Sequence, residues 1–180
     1  LVAAANVPVA IAALMSGAAQ IGNAVAMPVL QAREAGIETE IIADAASFPY
    51  PQPIHVGVIA RSGSNIHSAK DLEGRRLAVV SINGYNDVLV HRWMEEKGAD
   101  HAKVNVVEAA FPQMADLLKS GNVDAVVVVD PFYNRILGAG TGYVFDNFVA
   151  TVPDGTLIDF YSVLTSWART HTPQITAFRA

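Results

Sequence analysis

Four short stretches of this chain gather side chains able to grip a small molecule. Ser81-Ile82-Asn83-Gly84-Tyr85-Asn86 joins a Val-rich run to a helical one. Small and polar residues at such a junction leave backbone N–H groups to face an anion, and the positive end of the helix dipole adds to the pull. The same residues also fit a plain turn in which Asn86 caps the helix. Asn23-Ala24-Val25-Ala26 offers an amide and backbone groups at another strand end, where asparagine is equally an ordinary turn residue. Asp130-Pro131-Phe132-Tyr133 follows the most apolar run of the chain. Its carboxylate suits a ligand amine or hydroxyl, and Phe132 or Tyr133 suits the wall of a cleft. An Asp at the N-cap with Pro at N1 explains the same pair, and an uncompensated Asp130 repels an anion. Ser47-Phe48-Pro49-Tyr50-Pro51 reads as an aromatic cleft loop or as a Pro-rich connection.

No recognisable catalytic set accompanies these stretches. There is no nucleophile-elbow serine, no Walker loop and no GxGxxG. His55, His67, His91, His101 and His171 show no metal-ligand pairing at helical spacing, so no metal is expected, and no cofactor is implied. The chain has no cysteine, which excludes disulfides and thiolate chemistry. Its net charge of −5 and a longest basic run of only Arg75-Arg76 argue against a nucleic-acid partner. No apolar run reaches the length of a membrane-spanning helix. With 52% hydrophobic and 16% charged residues in 180, the chain can bury a sizeable core.

The elements that must hold these stretches can be read from pattern. Glu38–Asp44, Ile54–Ala60, Arg76–Ser81, Val104–Glu108 and Val123–Val129 are short and rich in Val and Ile. Near-continuous apolar runs of this kind suit parallel strands covered on both faces. Between them, Pro8–Met15, Met27–Ala35, Asn86–Lys97, Pro112–Lys119 and Phe132–Leu137 carry apolar residues at helical spacing. Pro8, Pro28 and Pro112 stand where a first helical turn tolerates proline, and Gly17, Gly36, Gly98 and Gly121 stand just past helix ends. Strands alternating with helices predict an α/β fold with mainly parallel sheets. Trp93, Tyr161 and Trp167 are expected in the core.

A repeat sharpens the prediction. Leu14-Met15-Ser16-Gly17 and Leu118-Lys119-Ser120-Gly121 are similar at an offset of 104. The same offset carries a strand at Ile21–Val25 onto Ala125–Val129, and Ala35-Gly36 onto Ala139-Gly140. Two similar α/β lobes follow. Ligands bind at the carboxyl ends of parallel strands, which directs attention to Asn23–Ala26, Ser81–Asn86 and Val129–Phe132.

Three segments carry a family resemblance. Ile11-Ala12-Ala13-Leu14-Met15-Ser16-Gly17-Ala18-Ala19-Gln20-Ile21-Gly22 resembles the A-L-x-S-G-x-x-D-I-G stretch of nitrate/sulfonate/taurine-type substrate-binding proteins of ABC importers, with Gln20 where the family has an acid. The run Ser68–Val79 resembles their s-x-x-D-L-K-G-K-x-x-x-V stretch, and Ala115–Phe132 their A-L-x-x-G-x-V-D-A-x-x-x-x-x-P-x stretch. The resemblance implies a type II periplasmic-binding fold of two lobes, Leu1–Arg61 with Gly155–Ala180 and Ser62–Asp154, hinging on two crossover strands over a cleft. It implies a small anionic solute such as a sulfonate, taurine or nitrate, gripped by Asn23, Ala24, Ser47, Phe48, Ser81, Asn83, Gly84, Tyr85, Asn86, Asp130 and Phe132. It also implies a membrane permease as partner, a monomeric state, and a periplasmic or extracellular location, free or lipid-anchored. The chain reads as a piece of such a protein, cut at both ends. The competing expectation is an enzyme on the same fold acting on a pyrimidine- or quinone-precursor-like molecule.

Overall fold

The structure, a computed structural model, describes residues 7–47, 56–153 and 155–180. Along the chain run α1 (Val7–Met15), β1 (Gly22–Val25), α2 (Ala26–Glu34), β2 (Thr39–Ser47), β3 (Val56–Arg61), β4 (Arg76–Val79), α3 (Tyr85–Glu96), β5 (Asn105–Glu108) and α4 (Phe111–Lys119). They continue with β6 (Ala125–Val129), α5 (Phe132–Gly138), β7 (Gly142–Asp146), β8 (Leu157–Leu164), α6 (Thr165–Ala168) and α7 (Thr172–Arg179). The helices and strands expected from pattern are α1–α5 and β1–β6. Pattern alone did not separate β7 and β8.

The chain divides into two compact units, Leu1–Gln52 with Pro153–Ala180 (unit 1) and Pro53–Val152 (unit 2). β3 therefore belongs to unit 2 and not to the first lobe, because its partners on both sides, β6 and β7, lie there.

Unit 2 is a five-stranded sheet in the order β5-β4-β6-β3-β7. β4 pairs in parallel with β5 and β6, and α3 and α4 provide the long returns that parallel pairing demands. β3 runs antiparallel to both neighbours. The continuous apolar run 125–128 is the result of position: β6 lies inside the sheet and its side chains are shut off from water on both faces. Val126 and Val128 pack with Ile59, Met114, Leu118 and Ile136. Each such aliphatic side chain contributes about 1.5–3 kcal/mol on burial. Trp93 on α3 is buried, donates Nε1–H to Asp146 Oδ2 at 3.2 Å and sets its ring edge on Phe145.

Unit 1 is a three-stranded sheet in the order β1-β8-β2, and both pairings are antiparallel. The expected mainly parallel sheet is thus corrected: parallel pairing is confined to β5-β4-β6. The physical reason is the return strand β8, which inserts between β1 and β2 and runs against both. Opposed residues share a face in such pairs, and the faces alternate along the strand. One face of β8 carries Ile158, Phe160 and Ser162, opposite Ala24 and Gly22 of β1, all buried, and α1 covers it through Leu14. The other face carries Tyr161 and Val163, covered by Ile175 and Ala168, with Phe178 edge-on to Tyr161 at 5.0 Å. Trp167 lies against this cluster and stacks on His171 at 4.2 Å.

The repeat is present in the order and length of the elements. An offset of 104 carries α1 onto α4 and β1 onto the end of β6. Gly17 and Gly121, the matched helix stops, take φ of +73° and +72°, a region open to glycine and strained for residues with a Cβ.

Candidate ligand-binding site

β4 ends at Val79, and residues 80–84 turn the chain into α3. Asn83 takes φ +58°, and the Gly84 N–H donates to the Ser81 carbonyl at 3.1 Å. A Cβ on Gly84 would stand 2.9 Å from that oxygen, so the turn itself requires glycine. The Ile82 N–H donates to Glu108 Oε1 at 2.8 Å, and the Asn83 N–H to Asp87 Oδ2 at 2.8 Å. Two of the amides read from sequence as free to face an anion, those of Ile82 and Asn83, are therefore held by carboxylates of the protein itself. Asn86 is not the cap either. Gly84 occupies the N-cap position, and Asn86 lies inside the first turn.

Two groups of this turn stand out physically. Asp87 is buried, and its second oxygen lies 3.2 Å from His101 Nε2. Burial pushes its pKa up, but the hydrogen bonds from His101 and Asn83 and the charges of His101 and His91 outweigh it, leaving the carboxyl below its ordinary value. Tyr85 is half-buried, its hydroxyl sits out of water without a hydrogen-bond partner among the described residues, and burial raises its pKa.

At the end of β6, Asp130 is exposed and accepts from the Asn134 backbone N–H at 3.3 Å and from the Asn134 side-chain amide at 3.0 Å. Pro131 occupies the N-cap of α5, one place earlier than the N1 position expected, so Asp130 serves the helix end from one residue further back. Phe132 stacks on Phe111 at 5.9 Å and packs with Tyr133 against the unit 2 core. Burial, and then the Asp130 charge, raise the Tyr133 pKa. The carboxyl ends of β4, β5 and β6 thus carry Asp87, Glu108 and Asp130, while segments 80–87, 108–114 and 129–134 contain no Lys or Arg. Such an environment opposes an oxyanion.

The sequence motifs that carried the resemblance lie mostly elsewhere and are structural. Ser68 and Asp71 form a capping box on a short turn, and Leu72 beneath it is fully buried. Asp124 accepts the Arg76 N–H at 3.0 Å and pairs with Arg61 at 3.8 Å, joining β6 to β4 and β3 at their other end.

In unit 1, Asn23 is exposed on β1, whereas the side chain of Ala24 points into the core and is 1% exposed. Only the backbone of Ala24 is offered. Ser47 closes β2 and donates its hydroxyl to Asp44 Oδ2 at 3.1 Å. Phe48 and Tyr50 lie outside the described residues. Sequence reading missed Asp159. It stands on β8 opposite Val25 of β1 and Ala46 of β2. Its carboxyl receives a hydrogen bond from the Asn23 side chain, yet Oδ1 is buried without a hydrogen-bond partner among the described residues. Burial raises its pKa, and the Asn23 hydrogen bond opposes that only in part. The signal was the alternation Ile158-Asp159-Phe160, an acid inside an apolar strand pattern. A depression of about 420 Å³ in unit 1, edged by Met15, Glu38, Thr165 and Arg169, lies at the other end of β8.

The chain folds as two α/β units, and solved structures share that fold. The chain is similar to the periplasmic aliphatic sulphonate-binding protein SsuA of Escherichia coli, with a TM-score of 0.76 and 19% identity over 97% of this chain and 57% of that one. It is similar to the alkanesulfonate-binding protein SsuA of Xanthomonas axonopodis pv. citri, bound to MOPS, with a TM-score of 0.83 and 21% identity over 98% of this chain and 58% of that one. The periplasmic nitrate-binding protein NrtA of Synechocystis PCC 6803 gives a TM-score of 0.66 and 13% identity over 84% of this chain and 42% of that one. The chain therefore spans less than two thirds of the length of these proteins, and by their names they are binding proteins rather than enzymes. The chain belongs to the NMT1/THI5-like family, whose model matches residues 1–139. No match was found among curated proteins.

Proposed function

We propose that the chain is part of the solute-binding component of an ABC importer, holding a small molecule unchanged for a membrane permease. The reading rests on the family, on the fold, and on one observation of geometry. Of three side-chain atoms buried without hydrogen-bond partners among the described residues, the Tyr85 hydroxyl, Asp159 Oδ1 and Arg61 Nε, the first stands where β4 leads into α3 and the second near the start of β8. Buried polar atoms in a native protein are nearly all paired, and the bare atoms of Tyr85 and Asp159 support a solute that completes their bonding. A periplasmic or extracellular location, free or anchored, and a monomeric state accompany this reading.

The solute class follows from charge. An anion was expected from the sequence. What supports a donor-bearing solute instead is that Glu108 and Asp87 already take the Ile82 and Asn83 amides, and that no Lys or Arg stands in segments 80–87, 108–114 and 129–134 at the carboxyl ends of β4, β5 and β6. A sulfonate or nitrate placed there would meet carboxylates first.

A thermal-shift screen of the purified chain tests the proposal, with sulfonates, taurine, nitrate, pyrimidines and aromatic amines as the panel. A ligand at about 100 times its Kd stabilises by roughly 2.7 kcal/mol. The expected result is a shift with the hit recovered unchanged by mass spectrometry. A hit that is chemically converted would move the assignment to an enzyme.

A further inference from the structure

The three strands of unit 1 place a row of residues on one face of β8: Val163, Tyr161 and Asp159. The first two are covered by α6 and α7, through Ala168, Ile175 and Phe178. Asp159 ends the row, with Asn23 and Val25 beside it on β1 and Ala46 on β2. Asn23 lies diagonally across the pair from Asp159, within reach of a polar side chain.

This leaves a carboxyl with its needs half met. Asn23 donates to it, no charged group contributes to its pKa, and Oδ1 is out of water without a hydrogen-bond partner. A carboxylate left so costs free energy, since desolvation is not offset by pairing. Among the other strand-end acids, Glu108 takes an amide hydrogen, Asp130 takes two, and Asp87 takes an amide and a histidine. Those acids hold the fold. Asp159 has acceptor capacity that the described fold does not use.

We infer that Asp159 is the specificity-determining residue of unit 1, its Oδ1 accepting a hydrogen bond from a protonated amine or ring amino group of the solute while Asn23 holds the carboxyl in place. The inference rests on the solute-binding reading above. It names the recognised group: an N–H donor.

Matched pairs of probes test it. Taurine and ethanesulfonate differ by an amine, and 4-aminopyrimidine and pyrimidine differ by an amino group. Affinities are measured by calorimetry for the unaltered chain and for Asp159→Asn, with the melting temperature of each without ligand. The expected result has three parts. The unaltered chain prefers the amine-bearing member of a pair. Asp159→Asn weakens that member about ten- to hundredfold and erases the preference. The variant without ligand melts no lower than the parent, which a merely structural carboxylate would not allow. Equal binding of both members by the parent, or binding unaffected in Asp159→Asn, overturns the inference alone. A parent chain that binds no probe overturns the solute-binding reading and takes this inference with it.

Discussion

Asp87 of unit 2 and Asp159 of unit 1 are two carboxyls withdrawn from water, each touched by an asparagine, and their surroundings drive them in opposite directions. Asp87 has the Asn83 amide at 2.8 Å and His101 at 3.2 Å, and it is pulled below its ordinary pKa in spite of burial. Asp159 has Asn23 and a bare Oδ1, and burial wins. Desolvation acts on both; the number of partners decides the outcome. The difference extends to the units around them. Unit 2 has a five-stranded sheet with a strand buried on both faces, and unit 1 has three strands with β1 at an edge. Asp87 spends its acceptors on the protein itself, and Asp159 leaves one to spare among the described residues.

Matched leucines of the repeat test this contrast where the effect is largest. Leu118 is fully buried among Met114, Val126 and Ile136, while Leu14 faces Gly22 on the edge strand. Leu→Ala in a core costs about 2–5 kcal/mol, depending on how far the site can collapse. Leu118→Ala belongs near the upper end and Leu14→Ala near the lower, read as loss of hydrogen-exchange protection in each unit. Equal losses would mean that the two copies are packed alike and that the contrast is only electrostatic.

The glycines give a smaller version of the same test. A Cβ on Gly142 would stand 2.5 Å from Ile59 Cγ2 and 2.8 Å from the Ala60 carbonyl, a backbone atom. On Gly22 it would meet only the Leu14 side chain at 3.2 Å, which can shift. Overpacking costs about 1–3 kcal/mol. Gly142→Ala should lower the denaturation midpoint of unit 2 within that range, and Gly22→Ala should change unit 1 by less.

Much of this contrast was hidden in the sequence, and for physical reasons. Strands β1–β6 and helices α1–α5 were legible because burial on two faces or one leaves a periodic apolar pattern. β8 was not, because it alternates Ile158, Phe160 and Ser162 with Asp159 and Tyr161, and both sets are at least half-buried. The Ser81–Asn86 turn was legible as a turn. The fate of its amides was legible only in part, since the carboxylate that takes the Asn83 amide is four residues on, in the first turn of the helix, but the one that takes the Ile82 amide comes from residue 108, on another strand. Gly84 was read as freeing its backbone N–H for an anion, and that N–H donates to the Ser81 carbonyl. Asp130 was legible as a residue serving a helix end, because its partner Asn134 is four residues away. Local bonding can be read from spacing; bonding across a sheet needs the register.

Substituting the two acids separates them at smaller amplitude. Asp87→Asn keeps the shape and removes the charge that His101 and the Asn83 amide face. It should destabilise unit 2 by about 1–3 kcal/mol at neutral pH. Because the folded pKa of Asp87 is depressed, its contribution is present above the unfolded value and is lost as pH falls through the folded one. The penalty of Asp87→Asn, followed by denaturant midpoints, should therefore shrink in acid below the ordinary carboxylate range. A penalty that does not change with pH would show that the hydrogen bonds matter and the charge does not.

Asp159→Asn has the opposite sign and the smallest amplitude. A carboxyl whose folded pKa is raised keeps its proton in the folded state at a pH where the unfolded chain has lost it. Stability then falls as pH rises from the unfolded pKa through the folded one, and the whole penalty is present above the folded pKa. Removing the charge should leave the melting temperature unchanged or raise it at neutral pH. The gain should disappear in acid, where the parent is protonated and resembles the variant. Asn23→Ala sharpens the point, because it removes the one hydrogen bond that favours the charged form. It should push the Asp159 pKa higher still, visible in the carboxyl carbon shift of an NMR titration. If Asp159→Asn instead loses stability at neutral pH, the carboxylate has partners in the folded protein as Asp87 does. The two units would then differ in size but not in how their acids are used.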